Sequence, residues 1–464
     1  MIIILLCTIF AIFFLYKRKL NVLVYGMYLV NPAVIALTVP VITTFKRYLA
    51  ILLFILYLKD WYINYRKNIK SNYHFPLKVA SWIMFISSVF VMSFDNRFFP
   101  VYKFLYPLMD ALDVYFPLFL TYFFTIKYHQ YFGEVKNPTI ICSYIVFGYA
   151  IIQVIGGVDF INNYIYSVQT PDEYYYDVVE ETCRGYRVKS LYRYVFDLGY
   201  NGALFSLTAL IFIIARGKTT YALIFCMICG VGCMVLSGSR TVMLSGFIAI
   251  LLLFMLTKAS KIKVKVVFGV LVFCVLAYLF VPSFTFMVDN SIGSVLLNDS
   301  SSQRRIDGSS VEMREGQLYG AKAMWLQHPI LGNGFKYIFL DLGWGSNKYV
   351  GDMFGYESLL FNVIIERGLV GLIAYVIFFY SIFRYFIKNR KYNSALSGMG
   401  ICVMTLFTFF SLGTGALDSW FNTMAILGIL MGTIETMKRK GIEESSRIRK
   451  KGLMVPNNQY PVSE

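Results

Sequence analysis

Long apolar runs, most of them close to the length of a membrane span, alternate with short basic stretches from Ile2 to Met437. A bilayer core of about 30 Å needs roughly 20 apolar residues per helix. Runs near that standard lie at 21–43, 79–95, 101–125, 139–156, 194–215, 220–236, 241–257, 266–286, 360–386, 396–413 and 420–436. Two shorter runs, 1–16 and 46–58, also read as spans. The pattern predicts an all-α, polytopic integral membrane protein: one membrane domain over 1–464 with about 11–13 transmembrane helices. Neither an internal repeat nor a matched pair of broken helices stands out, which argues against an inverted-repeat transporter.

Two long polar segments interrupt this rhythm, at 157–193 and 287–358. Counting spans puts both on the same face of the membrane. Within the second, Gly316–Gln327 reads as a short amphipathic helix outside the bilayer, with Pro329 just past its end. Residues 437–464 are left as a polar tail.

Charge fixes which face is which. The chain has 43 Lys and Arg against 26 Asp and Glu, a net charge of +17. The cations cluster at Lys17–Lys19, Lys59–Lys70, Arg216–Lys218, Lys258–Lys265, Lys388–Lys391 and Lys438–Lys451, between apolar runs. That is the positive-inside pattern, so the C-terminus is expected in the cytoplasm and both long segments outside it. The basic balance is therefore read as orientation, and no nucleic-acid partner is expected. The first apolar run precedes its cations, so it reads as a span and not as a cleaved signal.

Composition agrees: 58% of residues are apolar and 15% charged, against roughly 45–50% and 25% in a soluble domain. Disordered, coiled-coil and secreted disulfide classes are excluded with it. Of the cysteines, Cys226, Cys229 and Cys233 share one helix face. With no second ligand cluster they read as packing residues, and no metal is expected.

Three motifs rise above this generic background. Ser237-Gly238-Ser239-Arg240-Thr241 joins two spans. In the second polar segment, Arg314 stands just before the amphipathic helix, and His328-Pro329-Ile330-Leu331-Gly332-Asn333-Gly334 follows it. The Gly332/Gly334 turn offers backbone N–H groups to an anion. Then Glu357 stands nine positions before Glu366-Arg367-Gly368-Leu369-Val370-Gly371, at the mouth of a span. Glu366 with Gly368 and Gly371 reads as close helix packing. Asp110, Asp113 and Asp197 lie in or at the edge of apolar runs, where a carboxylate needs a functional reason.

Taken together and in this order, the motifs over about residues 180–436 resemble the O-antigen polymerase/ligase superfamily, the Wzy- and WaaL-like enzymes of surface-polysaccharide assembly. Ligases of that family usually carry His where this chain has Glu357, so the resemblance leans to a polymerase. It implies a metal-independent glycosyltransferase of the bacterial inner membrane, needing no cofactor, with its active side extracytoplasmic. Its substrates would be a donor and an acceptor oligosaccharide, each on polyprenyl diphosphate, and a chain-length regulator is a candidate partner alongside membrane lipids. An O-antigen ligase is the near alternative, and a lipid-linked oligosaccharide flippase or transporter the distant one.

The chemistry the resemblance implies assigns roles to particular residues. A departing diphosphate needs fixed cations with fork geometry, which Arg supplies better than Lys. Arg314 and Arg240 come first, then Arg187 and Arg193 from the first polar segment, with Arg304, Arg305 and His328 as further contacts. Glu357 is the expected general base for the acceptor hydroxyl.

Overall fold

A computed structural model describes residues 2–30, 44–67, 74–161, 163–164, 180–182, 185–216, 220–257, 278–279, 285, 311–340, 358–414 and 418–450. Among the described residues the chain forms a bundle of helices with one two-stranded hairpin. In order these are α1 (Ile2–Lys17), α2 (Leu20–Leu29), α3 (Phe45–Arg66), α4 (Lys78–Ser93), α5 (Pro100–Val114), α6 (Phe116–Lys127) and α7 (Lys136–Gly156). There follow β1 (Glu180–Thr182), β2 (Gly185–Arg187), α8 (Val195–Arg216), α9 (Tyr221–Leu236), α10 (Arg240–Leu256), α11 (Val311–Gln327) and α12 (Tyr337–Leu340). The series ends with α13 (Leu359–Asn389), α14 (Ser394–Gly413) and α15 (Asp418–Lys450).

The protein is an all-α polytopic membrane protein. Among the described residues, the helices ending in α7 and α8, together with α13 and α14, are each long and apolar enough to cross a bilayer. The bent pair α5–α6 makes a fifth crossing if counted as one span. Helices α4, α9 and α10 are equally apolar but 16 or 17 residues long, a rise of about 25 Å. The expected span 266–286 lies outside the described residues except at 278, 279 and 285, as does the second half of 21–43.

Two of the expected continuous spans are broken. The run 101–125 bends by 55° between α5 and α6, where Pro117 sits in the first turn of α6. A proline there lacks the N–H that would continue the ladder, and its ring crowds the carbonyl one turn back. In α13 the break falls at Gly368, at φ 57° and ψ −154°, a conformation that only glycine takes at no steric cost.

The core lies where α8 meets α9 and α14, and where α15 meets α6. Close approach depends on small residues: a Cβ on Gly202 of α8 would lie 2.5 Å from the Gly230 carbonyl of α9. Between α8 and α15 runs a buried polar seam. Tyr200 and Thr423 share a 2.6 Å hydrogen bond, Asn422 donates to Asn201 at 2.8 Å, and Ser419 donates to Asp197. Such bonds join helices where hydrophobic burial cannot, because lipid is as apolar as the core. At one end of the bundle, residues 95–97 bind 328–336, residues 187–190 bind 236–240, and Ser419 binds Asp197 at the start of α8. At the other end lie Leu20, Gln130, Phe132, Leu256, Arg390 and Thr433.

Candidate active site

The first half of the site is the turn between α9 and α10. Its Ser237 hydroxyl donates back to the Met234 carbonyl at 2.7 Å and accepts the Ser239 N–H at 3.3 Å. Gly238 takes φ 59°, and Arg240 then opens α10, half-buried. Onto this turn docks the strand end of the hairpin. Val188 N–H donates to the Leu236 carbonyl at 3.2 Å, and Arg187 Nε donates to the Ser237 carbonyl at 3.3 Å. Gly238 makes room for the docking, since a Cβ there would lie 2.8 Å from Arg187 Cγ. The Arg187 guanidinium lies over the Phe196 ring, 5.6 Å from its centroid.

The incoming segment is pinned from below. Ser190, at φ 53°, gives its N–H to Gln153 Oε1 at 2.7 Å and its hydroxyl to the Val146 carbonyl at 2.7 Å. Both partners lie on α7. The first turn of α8 closes the other side: a Cβ on Gly199 would lie 2.5 Å from the Ser237 hydroxyl. Asp197, two residues earlier, is buried.

The second half is built by α11 and the turn that follows it, on the broken helix α13. A continuous helix would bond Leu369 N–H to Ile365 and Val370 N–H to Glu366. Instead Leu369 donates to Pro329 at 3.0 Å and Val370 to Ile330 at 3.2 Å. The Ile365 and Glu366 carbonyls so released take the N–H groups of Asn333 at 2.7 Å and Gly334 at 3.1 Å. The turn thus replaces one rung of the helix from outside. Gly332 (φ 75°) and Gly368 interlock: a Cβ on Gly332 would lie 2.5 Å from the Arg367 nitrogen. The Glu366 carboxylate accepts the backbone N–H groups of Lys336 and Ile338. Beneath α11, Ala321, Ile338 and Ile365 form a small apolar core.

Arg367 turns the other way, into the bundle, and is 6% exposed. One guanidinium nitrogen donates to Ser88 Oγ of α4 and another to Asp110 Oδ2 of α5, both at 2.9 Å. Its faces stack on Phe335, 5.2 Å away, and Tyr375, 5.7 Å away. Beside it Arg47 Nε donates to Asp113 at 3.0 Å. Arg97 binds Asp95 at 2.7 Å and the Phe335 carbonyl at 3.0 Å. Burial raises the Asp95 carboxyl, but its hydrogen bonds and ion pair with Arg97 outweigh that and hold it below the ordinary carboxylate range. Lys336 lies over the Tyr106 ring at 4.8 Å, and its ammonium is held below the ordinary lysine range, first by desolvation and then by Arg47.

The structure brings Arg187 and Arg240 to one turn. Arg193 is exposed nearby, over the ring of its neighbour Tyr194 at 5.2 Å. His328 is exposed, and its carbonyl accepts the Gly332 N–H at 2.8 Å. Arg314 is on α11, though its side chain lies outside the described residues, as do Arg304, Arg305 and Glu357 altogether. Two readings of the sequence change. The Gly332 and Gly334 amides are not an anion cradle, because His328 and Glu366 carbonyls take them. Gly368 and Gly371 serve the break and the Arg367 stem rather than helix–helix packing.

Arg367, Arg97, Arg47 and Lys336 were not singled out by pattern. The available signal was Asp110 and Asp113, carboxylates in an apolar run that require cations. Among the described residues no three His, Cys, Asp or Glu side chains are grouped so as to hold a metal ion.

Residues 222–376 match the family model described as O-antigen ligase. That third of the chain takes in the 237–240 turn, α10, α11, the 329–336 turn and the break in α13. The match supports an O-antigen ligase/polymerase type of activity in general, as common ground to both enzymes, and lends nothing to a flippase. No curated protein matches the chain.

Proposed function

We propose that this protein polymerises oligosaccharide repeat units carried on polyprenyl diphosphate, at the extracytoplasmic side of the bacterial inner membrane. The observation that carries the reading is the docking of Arg187 onto the Ser237–Ser239 turn that presents Arg240. Two guanidinium-bearing residues from distant segments thereby flank one rigid turn, at the same end of the bundle as α11 and its Arg314.

The reaction breaks the bond between the donor sugar's anomeric carbon and the carrier diphosphate, and forms a glycosidic bond to an acceptor hydroxyl. The departing diphosphate gains negative charge, which Arg187, Arg240 and Arg314 neutralise with fixed N–H donors. No metal is needed for that role. The acceptor proton passes to Glu357, the carboxylate that precedes the apolar run 360–386 in the sequence. The product leaves as a lengthened chain on the acceptor's carrier, with the donor's carrier diphosphate released. Glu357, where ligases of the superfamily usually have His, favours polymerisation over transfer of finished chains.

The test is the surface-polysaccharide ladder of a strain lacking the gene, complemented with wild type, Arg187→Ala or Glu357→Gln. The polymerase reading expects single repeat units in the deletion and no ladder with either variant. Long polymer that stays on the carrier and never reaches its acceptor would identify a ligase. An unchanged ladder in the deletion would sink glycosyl transfer in that pathway.

A further inference from the structure

Arg314, on the polymerase reading, belongs to a small unit: α11, the 329–336 turn and the first nine residues of α13, the helix that follows Glu357 in the sequence. The unit hangs together by backbone bonds exchanged across the Gly368 break and by the apolar core under α11. Among the described residues its polar links to the rest of the bundle include Arg97 on the Phe335 carbonyl and Arg367, and Arg367 is the more buried of the two. That guanidinium binds Ser88 and Asp110 from two other helices while Phe335, at the end of the turn, stacks on one of its faces.

From this we infer that Arg367 is a positioning residue for the polymerase reaction. It clasps the α11 unit to α4 and α5 and so sets where Arg314 and the start of α13 stand relative to the Arg187–Arg240 turn. A second ring beside the same guanidinium completes the path. Tyr375 stacks there, and its ring meets Trp420 at 5.8 Å, next to the Ser419 that binds Asp197 at the base of that turn. Arg367 therefore touches both halves of the site through packed groups, without being placed against substrate. The inference rests on the polymerase reading, and its test separates the two.

Two measurements are made on the full chain in lipid nanodiscs and in membrane vesicles. Hydrogen exchange is followed at the Asn333, Gly334, Leu369 and Val370 amides, whose bonds form the clasped turn. Asp110→Asn removes the charge partner, and Arg367→Lys keeps the charge while losing the planar fork. Both are expected to speed exchange at those amides on the order of tenfold, with α8 and α9 unchanged. Ser88→Ala, which removes only the second partner, serves if the others do not accumulate, with a smaller effect in the same direction.

In vesicles supplied with carrier-linked repeat units, Arg367→Lys should lower turnover by at least about tenfold and leave the half-saturating concentration unchanged. A variant that merely lost stability would show less active protein with normal turnover per folded molecule. Unchanged exchange in every variant, or faster exchange with full turnover, would overturn the assignment. A wild type that builds no polymer would sink the polymerase reading and the role in it. Exchange in the variants would still show whether the clasp itself exists.

Discussion

The two turns that build the site use arginine in opposite ways. At 237–240 the guanidinium-bearing residues are half-buried, and Arg187 is held by a carbonyl and an aromatic ring that leave part of it open to water or ligand. At 329–336 the associated arginine is sunk among a carboxylate, a hydroxyl and two rings. A cation kept for a passing anion must stay reachable, whereas a cation kept for architecture can be spent on its neighbours. On the polymerase reading, exposure and partner type separate the two roles where residue type cannot.

The strongest way to break this comparison is to truncate one arginine from each turn. Arg367→Ala leaves the half-buried Asp110 without its guanidinium partner, a loss of roughly 3 kcal/mol. It should appear as a large fall in the thermal midpoint of the purified protein. Arg240→Ala should lower polymer synthesis on the order of 10²–10³ while the midpoint barely moves. If the midpoint falls as far in Arg240→Ala as in Arg367→Ala, the distinction between the turns is wrong.

A backbone change sharpens it next. Gly368→Ala forces a left-handed φ on a residue with a Cβ and drives that carbon to 2.6 Å from the Gly332 nitrogen. Together these cost about 2–4 kcal/mol. Limited proteolysis should then cut near 329–336 before it cuts elsewhere.

The smallest expected effect is one of pH. Asp95, with its carboxyl lowered from 3.8 by Arg97, adds stability that is full above the unfolded value. It is lost as pH falls through the folded one. Melting curves between pH 3 and 7 should show a shallower acid limb in Asp95→Asn, and an identical limb would remove Asp95 from the account.

Much of the bundle was legible because a bilayer imposes one length on every crossing. α7, α8, α9, α10 and α14 fall within a few residues of their apolar runs. The breaks were not, since Pro117 and Gly368 sit inside runs whose apolar residues extend on both sides of them, so length and hydropathy alone read each as one span. Arg240 and Arg187 could be picked out as arginines beside spans. Arg367 could not, because its reason for existing is Asp110, 257 positions away, and local pattern carries no trace of a partner so distant. The Gly332–Gly334 turn misled for a related cause. Glycine shows where backbone comes close to something, without saying whether that something is a ligand or another stretch of chain.

The exchanged rung in α13 also bears on how the protein is made. When this helix first enters the bilayer, the Leu369 and Val370 amides and the Ile365 and Glu366 carbonyls lack acceptors and donors within it, at several kcal/mol per group in hydrocarbon. The 329–336 turn ahead of it must fold back and supply them before that end of the helix can settle. Settling of the span is thereby tied to the folding of the segment that precedes it. A one-residue deletion between Pro329 and Gly334 should stall assembly of a helix whose own sequence is untouched.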